Sequence, residues 1–282
     1  MPGTLYLVAT PIGNLEDITL RALRILKEVS LIACEDTRQT SKLLRHYQID
    51  RPTISYHEHN EHERTPQLIA RLAAGESIAL VSDAGTPAIS DPGSILVREA
   101  IKNQLPVVPI PGVSALITGL VGSGLPTEEF LFVGFLPSRS GQRRKQLTAL
   151  ADMRATLVFY ESPYRITQTL SDALEILGSR PAAIARELTK LHEQFLRGTL
   201  AELLDSLEQQ PARGEMVLLI EGASEEAAPK IESEVDLLAA VEAKMQEENL
   251  DKMSALKLVA RSLGISKSEA YRRILTTKNS DR

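Results

Sequence analysis

The chain has 282 residues, 43 % hydrophobic and 24 % charged, with a formal net charge of −5. This is the composition of a globular protein with room for two domains, and its mild acidity leaves any nucleic-acid role to local basic patches. The one cysteine, Cys34, excludes an intramolecular disulfide and a multi-cysteine zinc site; the apolar runs are too short to span a bilayer and no signal-peptide pattern opens the chain, so the expected compartment is the cytoplasm.

Short β-like runs alternate with helical patterns through most of the chain. Thr4 to Ala9 reads as a strand, and Asp17 opens a helix with Ile18, Leu20, Ala22, Leu23, Ile25 and Leu26 as its apolar stripe. Leu31 to Cys34 is a second strand and Thr37 to Tyr47 a second helix. The polar run His57 to His62 precedes a helix from Glu63 to Ala73. Ser77 to Val81 is the third clear strand, followed by a turn-rich loop to Gly93, a helix from Ser94 to Ile101 and a strand from Pro106 to Ile110. Val113 to Val121 looks helical with one face of small residues, and glycine and proline punctuate Gly122 to Pro126. The pattern then resumes with strands at Phe130 to Phe135, Thr156 to Tyr160, Ala182 to Ala185 and Met216 to Ile220, and helices at Tyr164 to Leu177 and Thr199 to Leu207. Glu193 to Leu200 is expected to pair with the final strand, making this second sheet mixed.

The fold class is therefore α/β, as two halves with a cleft between them, plus a small all-α C-terminal domain. The expected boundaries are 1–122 and 123–222 for the two α/β domains, 223–230 for a linker and 231–282 for the helical domain. In that last part, Ser254 to Leu263, a stop at Gly264 and a helix capped by Ser266 through Tyr271 to Leu275 resemble a helix-turn-helix, with Arg272 and Arg273 on its second helix. The bland alternative is a helical appendage packed on the body or on a second subunit.

The chemistry is expected at the carboxyl ends of the strands, where open α/β sheets hold their ligands. Those ends run into Thr10-Pro11-Ile12-Gly13-Asn14, Glu35-Asp36-Thr37-Arg38, the loop Ser82 to Gly93, Pro111 to Ala115, Glu161-Ser162-Pro163 and Arg186 to Lys190. No G-x-G-x-x-G follows the first strand and no G-x-x-x-x-G-K-[ST] occurs, which disfavours dinucleotide binding and nucleoside triphosphate hydrolysis. His57-Glu58-His59-Asn60-Glu61-His62 is not H-E-x-x-H, and no metal is expected there. Ser114 lacks the second glycine of a nucleophile elbow and reads as a small residue touching a ligand.

Seven segments occur together and in order: Tyr6 to Leu15, Cys34 to Arg38, His57 to Glu61, Val81 to Gly93, Phe159 to Ser162, Ala185 to Lys190, and Gly214 to Leu218. On these the chain resembles the tetrapyrrole methylase superfamily, and within it the branch that acts on ribosomal RNA. The resemblance implies a two-domain body with S-adenosylmethionine in the cleft. It also implies methyl transfer to the ribose 2′-oxygen of a cytidine in the decoding region of 16S rRNA, within the small ribosomal subunit, by a homodimer. By the same resemblance Ile12, Gly85, Thr86 and Ile89 touch the cofactor from the first half, with the small pair Ser114 and Ala115. Tyr160, Leu188 and Met216 supply contacts from the second half. Thr86 stands where many relatives carry the aspartate of a Gly-Asp-Pro loop, and Asp83 lies three residues earlier. Either can hold the polar atoms of the methionine or ribose.

A 2′-hydroxyl needs help to lose its proton, from a carboxylate within reach or a lysine that stabilises the alkoxide. Asp36, Glu187 and Lys190 on the expected rim form the catalytic pool. Arg38, Arg139, Arg143, Arg144 and Arg165 in the body, with Arg272 and Arg273 in the tail, are the candidate RNA contacts. Two other readings compete: a methyltransferase of the same superfamily acting on a small tetrapyrrole, and a non-catalytic ribosome-binding module, which predicts no cofactor binding.

Overall fold

The computed structural model describes residues 1–209, 214–224, 241, 242, 244, 245 and 251–262. By its internal contacts the chain parts into two units, 1–222 and 223–282. The first unit contains two five-stranded sheets.

The first sheet is built from β1 (Leu5–Val8), β2 (Leu31–Cys34), β3 (Thr53–Ser55), β4 (Ile78–Val81) and β5 (Val107–Ile110) in the order β3-β2-β4-β1-β5. Every pairing in it is parallel. The inner strands β2 and β4 are buried at all four positions, as expected where helices cover both faces of a parallel sheet. On one face Ile32, Ala79 and Val81 pack with Ala22, Ile25 and Leu26 of α1 (Leu20–Glu28) and Leu44 of α2 (Thr37–His46). On the other, Leu5, Ala33 and Leu80 pack with Leu68 and Leu72 of α3 (Glu61–Ala73) and Leu96 and Ala100 of α4 (Ser94–Lys102).

Helix α1 starts later than the apolar pattern predicts. Asn14 caps a short 3₁₀ turn, Leu15–Asp17, and Thr19 then caps α1 by accepting from the Ala22 amide at 3.1 Å. Two polar caps in succession outweigh the apolar phase, so Asp17 and Ile18 lie outside the helix. The strand β3 was not expected. At three residues it is too short to carry an alternation signal.

Helix α5 (Ala115–Ser123) leaves β5 but packs on the second sheet, where Leu116 and Leu120 meet Val158, Ala183, Ala185, Val217 and Leu219. Gly119 makes the approach possible: a Cβ there would stand 3.2 Å from Val217 Cβ. The second sheet comprises β6 (Phe130–Phe135), β7 (Thr156–Glu161), β8 (Pro181–Arg186), β9 (Gln194–Thr199) and β10 (Met216–Ile220), in the order β6-β7-β10-β8-β9. It is mixed, with β6 parallel to β7 and the other pairs antiparallel. The segment expected to join the final strand pairs with β8 instead: the loop 187–193 brings β9 back against β8, and β10 inserts between β7 and β8. Helices α6 (Ser140–Ala149), α7 (Ile166–Leu177) and α8 (Leu200–Gln209) are on the outer side, where Leu147, Leu170, Leu203 and Leu207 close over Leu157, Phe159 and Leu218.

In the second unit α9 (Lys252–Ser262) is capped by Asp251, which accepts from the amides of Met253 and Ser254 at 2.9 and 3.1 Å. Ala255, Leu256 and Val259 are buried. The linker from 225 onward, Gly264, Ser266, and the expected recognition helix with Arg272 and Arg273 lie outside the described residues. Among the described residues no helix is long and apolar enough to cross a membrane.

Candidate active site

A cavity of about 440 Å³ is lined from both sheets. From the first come Ile12, Glu35, Asp83 to Thr86, Ile89 to Asp91, and the start of α5 at Ser114 and Ala115. The second gives Phe135, Tyr160 to Pro163, Ala185, Glu187, Leu188, Lys190, and Glu215 to Val217. Topology explains the convergence. Parallel strands all present their carboxyl ends on one edge, and β10, antiparallel to β7 and β8, brings its beginning to the edge where those two finish, with Met216 opposite both Glu161 and Arg186.

The floor is the loop after β4. Its Gly85 exchanges two backbone hydrogen bonds with Thr10, each 2.9 Å, so the loops leaving β1 and β4 are clasped together. The Thr10 hydroxyl donates to the Ser82 carbonyl at 3.0 Å, and the Thr86 hydroxyl donates to the Val113 carbonyl at 3.1 Å, tying the floor to the loop before α5. Gly85 thus has its own polar backbone groups engaged, and its part in the cleft is to let other groups come close. Gly93 closes the loop at φ +136°, where a Cβ would stand 2.7 Å from Leu80 Cδ2.

Non-glycine residues with positive φ cluster here: Ala88 (+67°), Ser90 (+59°), Glu187 (+51°) and Thr189 (+65°). Such conformations cost about 1–3 kcal/mol each and persist where the surroundings over-determine them. The surroundings of Glu187 are explicit. Its amide donates to the Glu215 carbonyl at 3.1 Å, Lys190 Nζ donates to its Oε1 at 2.9 Å, and a Cβ on Gly214 would collide with that same oxygen. Gly13 admits the Leu188–Lys190 segment, since a Cβ there would stand 2.5 Å from Lys190 Cγ.

The electrostatics are uneven. Asp91 is pushed up to about 6, chiefly by burial and then by the neighbouring charges of Glu35 and Asp83, with the Ser82 hydroxyl offsetting part of the shift. Glu35 is also raised, first by burial and then by Asp83. The second sheet supplies Lys190, whose ammonium is held above its ordinary value by its hydrogen bond to Glu187. Burial raises the Tyr160 phenol, whose ring meets Phe132 and Phe135 edge-on. Glu161, fully covered, accepts from the Ser162 amide, the Thr169 hydroxyl and Arg165, fixing the loop that closes this side.

The ten sequence-expected cofactor residues all line this one cavity, together with Glu187 and Lys190. Asp36 does not. It caps α2, its carboxylate is held at about 2 by hydrogen bonds from Arg38, and its amide donates to Asp83 Oδ1 at 3.0 Å. It orients Asp83 rather than facing the cleft. The basic stretch at 139–145 is also corrected. Part of it is helix α6, and Arg143 is buried at 2 % exposure, donating to Asp172 at 2.7 Å. Arg144 bonds Asp172 and Glu175, and Arg165 bonds Glu161 and the Leu136 carbonyl. These three join α6 and the loop before α7 to the fold and are not offered to a phosphate. Arg38 (side chain 86 % exposed) and the exposed Arg139 remain open to solvent. Residues the sequence reading passed over are Asp91, Ser90, Phe135 and Glu215; Asp91, an acid in a strand-end loop, was open to notice. His57 and Asn60 form a turn opening α3, and no three metal-binding side chains cluster among the described residues.

The residues present suit a cationic cofactor with a flat ring. Apolar Ile12, Ala115, Leu188 and Val217 line one region, and Glu35, Asp83 and Asp91 supply carboxylates in the same cavity without an arginine or lysine ion pair among the described residues.

Residues 4–204 match the family model of the tetrapyrrole (corrin/porphyrin) methylases. The chain is 56 % identical over 228 residues to the ribosomal RNA small subunit methyltransferase I of Halalkalibacterium halodurans, covering 81 % of this chain and 79 % of that one. It is 45 % identical over 269 residues to the enzyme of the same name from Streptococcus pyogenes serotype M1, covering 95 % and 93 %. Among solved structures, the uroporphyrin-III C-methyltransferase of Thermus thermophilus complexed with S-adenosylhomocysteine superposes with a TM-score of 0.54 at 21 % identity, over 78 % of this chain and 92 % of that one.

Proposed function

The chain belongs to the tetrapyrrole methylase family, and from that premise we propose that it is an S-adenosylmethionine-dependent methyltransferase of ribosomal RNA. Its target is the ribose 2′-oxygen of a cytidine in the decoding region of 16S rRNA, met within the small ribosomal subunit, and the enzyme works as a cytoplasmic homodimer. The observation that carries the reading is the convergence of Ile12, Asp83 to Thr86, Ser114 and Ala115 with Tyr160, Leu188 and Met216 around one cavity that has Lys190 and Glu187 in its wall. Its volume is that of a small-molecule site. The names of the relatives at 56 % and 45 % identity support the choice of ribosomal RNA over a tetrapyrrole.

Bound in the cleft, the cofactor supplies a methyl group made electrophilic by its sulfonium. The chain's residues do the rest. Ile12, Leu188, Met216 and Val217 exclude water, and the floor loop, clasped to Thr10 and Val113, fixes position, the main requirement for an in-line transfer. Asp91, Glu35 and Asp83 balance the positive charge that is lost on transfer. Lys190 is held protonated, so it stabilises the oxyanion and does not accept the proton. The proton of the 2′-hydroxyl goes to a carboxylate in the cavity wall, Asp83 or Glu187, as the oxygen gains the methyl. Calorimetric titration with S-adenosylmethionine, followed by methyl transfer to unmodified small ribosomal subunits, tests the reading. Absence of binding heat would reject it.

A further inference from the structure

Beside the cleft lies a second cavity of about 550 Å³. It is walled by Thr10 to Gly13 and Leu15 after β1, by Gln39, Thr40, Lys42 and Leu43 of α2, and by the floor loop and Lys190. Ile12, Asp83, Ala84, Lys190 and Glu215 line both cavities. Two bound molecules that react must bring their atoms to about 3–3.5 Å. Because the two cavities share these five residues, their occupants would lie next to each other, beside an aspartate and a protonated lysine.

The far wall carries a different chemistry. Lys42 Nζ donates to Gln39 Oε1 at 2.9 Å and makes no ion pair among the described residues. An exposed ammonium without a carboxylate partner suits a phosphate, and the Gln39 amide NH₂ remains available to an acceptor on a base or ribose. Pro11, Leu15 and Leu43 give an apolar surface against which a base can lie. Lys42 is the basic residue by which α2 lines this cavity; Arg38, one turn earlier, is exposed and already paired to Asp36 at 2.7 Å.

We propose that this second cavity seats the acceptor nucleotide of an RNA strand. One of its phosphates bonds Lys42, its base lies on Pro11 and Leu15, and its 2′-hydroxyl reaches the shared wall at Asp83 and Lys190. The assignment rests on the RNA methyltransferase reading and adds to it a location and a phosphate contact.

The test compares Lys42→Ala and Lys42→Glu with Lys102→Ala, an exposed lysine on α4 that serves as the charge control. Filter binding to unmodified small ribosomal subunits is measured across a series of salt concentrations without cofactor, and cofactor affinity is measured separately by calorimetry. Lys42→Ala is expected to weaken subunit binding about fivefold and to lower the log–log salt slope by about 0.7, the loss of one phosphate contact to a single strand. Lys42→Glu weakens binding further, and neither changes cofactor affinity. If Lys42→Ala matches the control in affinity and slope while the wild type binds and methylates subunits, the subsite is wrong and the RNA reading stands. If the wild type neither binds nor methylates subunits, both fall.

Discussion

Two cation–carboxylate contacts of similar length serve opposite ends. Arg143 donates to Asp172 at 2.7 Å with side chains 3 % and 11 % exposed, joining two regular helices. Lys190 donates to Glu187 at 2.9 Å with side chains 33 % and 27 % exposed, on a segment where Glu187 and Thr189 both hold positive φ. The first pair has no face left for a ligand, and its hydrogen bonds are spent on the fold. The second lines the cleft, with Lys190 reaching the neighbouring cavity as well, and rests on backbone that is held in place against its own preference. Charge type alone does not separate them. Burial and backbone strain do, and the pair proposed to act in transfer is the more exposed and more strained one.

The largest effect expected is on the buried pair. Among the described residues, Arg143→Ala leaves Asp172 with Arg144 as its only charged partner, and loss of a buried partner costs about 3 kcal/mol. A thermal melt should show a fall of roughly 6–12 °C, while the folded fraction keeps its kcat. Asp172 lies below its ordinary value because Arg143 and Arg144 outweigh the effect of its burial. Its contribution is therefore present at neutral pH and fades as the pH falls below the usual carboxylate range, so the gap between variant and wild type should narrow there.

Lys190→Ala should invert this pattern, with kcat down about 100-fold through loss of oxyanion stabilisation and the melt moved by no more than an exposed pair contributes, about 1 kcal/mol or less. A Lys190→Ala protein that melts early and turns over normally would break the comparison. Glu187→Gln should lower kcat about 100-fold with cofactor affinity nearly unchanged; equal losses in both would make Glu187 a binding residue only.

The smallest effect concerns Asp91. Its pKa is raised to about 6 from 3.8. The folded state therefore holds a proton that the unfolded state gives up, and stability is lost as the pH rises through that window. Asp91→Asn escapes the loss, so melts should show it level with wild type near pH 4 and ahead at pH 8, by about 1 kcal/mol after allowance for partial solvent exposure. The variant should also bind S-adenosylmethionine more weakly, and the wild-type affinity should rise as the pH rises through 6.

How much of this was legible follows from the same physics. The strands β2, β6 and β10 stood at their expected bounds because their apolar runs, closed by polar turns, are too short for a helix. The ten cleft residues were reachable because a resemblance aligned their loops, although nothing in their spacing says that β10 inserts between β7 and β8 and carries Met216 to the cleft. Helix α6 was hidden because Arg143 occupies a buried position that apolar periodicity assigns to Leu or Ile, leaving Leu147 the one buried apolar side chain on it. A run of arginines looks alike in a sequence whether its partners are phosphates or, as for Arg143 and Arg144, the carboxylates of a helix about 30 residues away. Asp36 misled for a related reason: helix caps and catalytic carboxylates occupy the same strand-end loops.

The central claim is tested most directly by mapping 2′-O-methylation along 16S rRNA from cells lacking this protein and from the same cells supplied with wild type or with Lys190→Ala. The account predicts that one cytidine in the decoding region loses its ribose methyl group, regains it with wild type and does not regain it fully with the variant. An unchanged methylation map in the cells that lack the protein would contradict it.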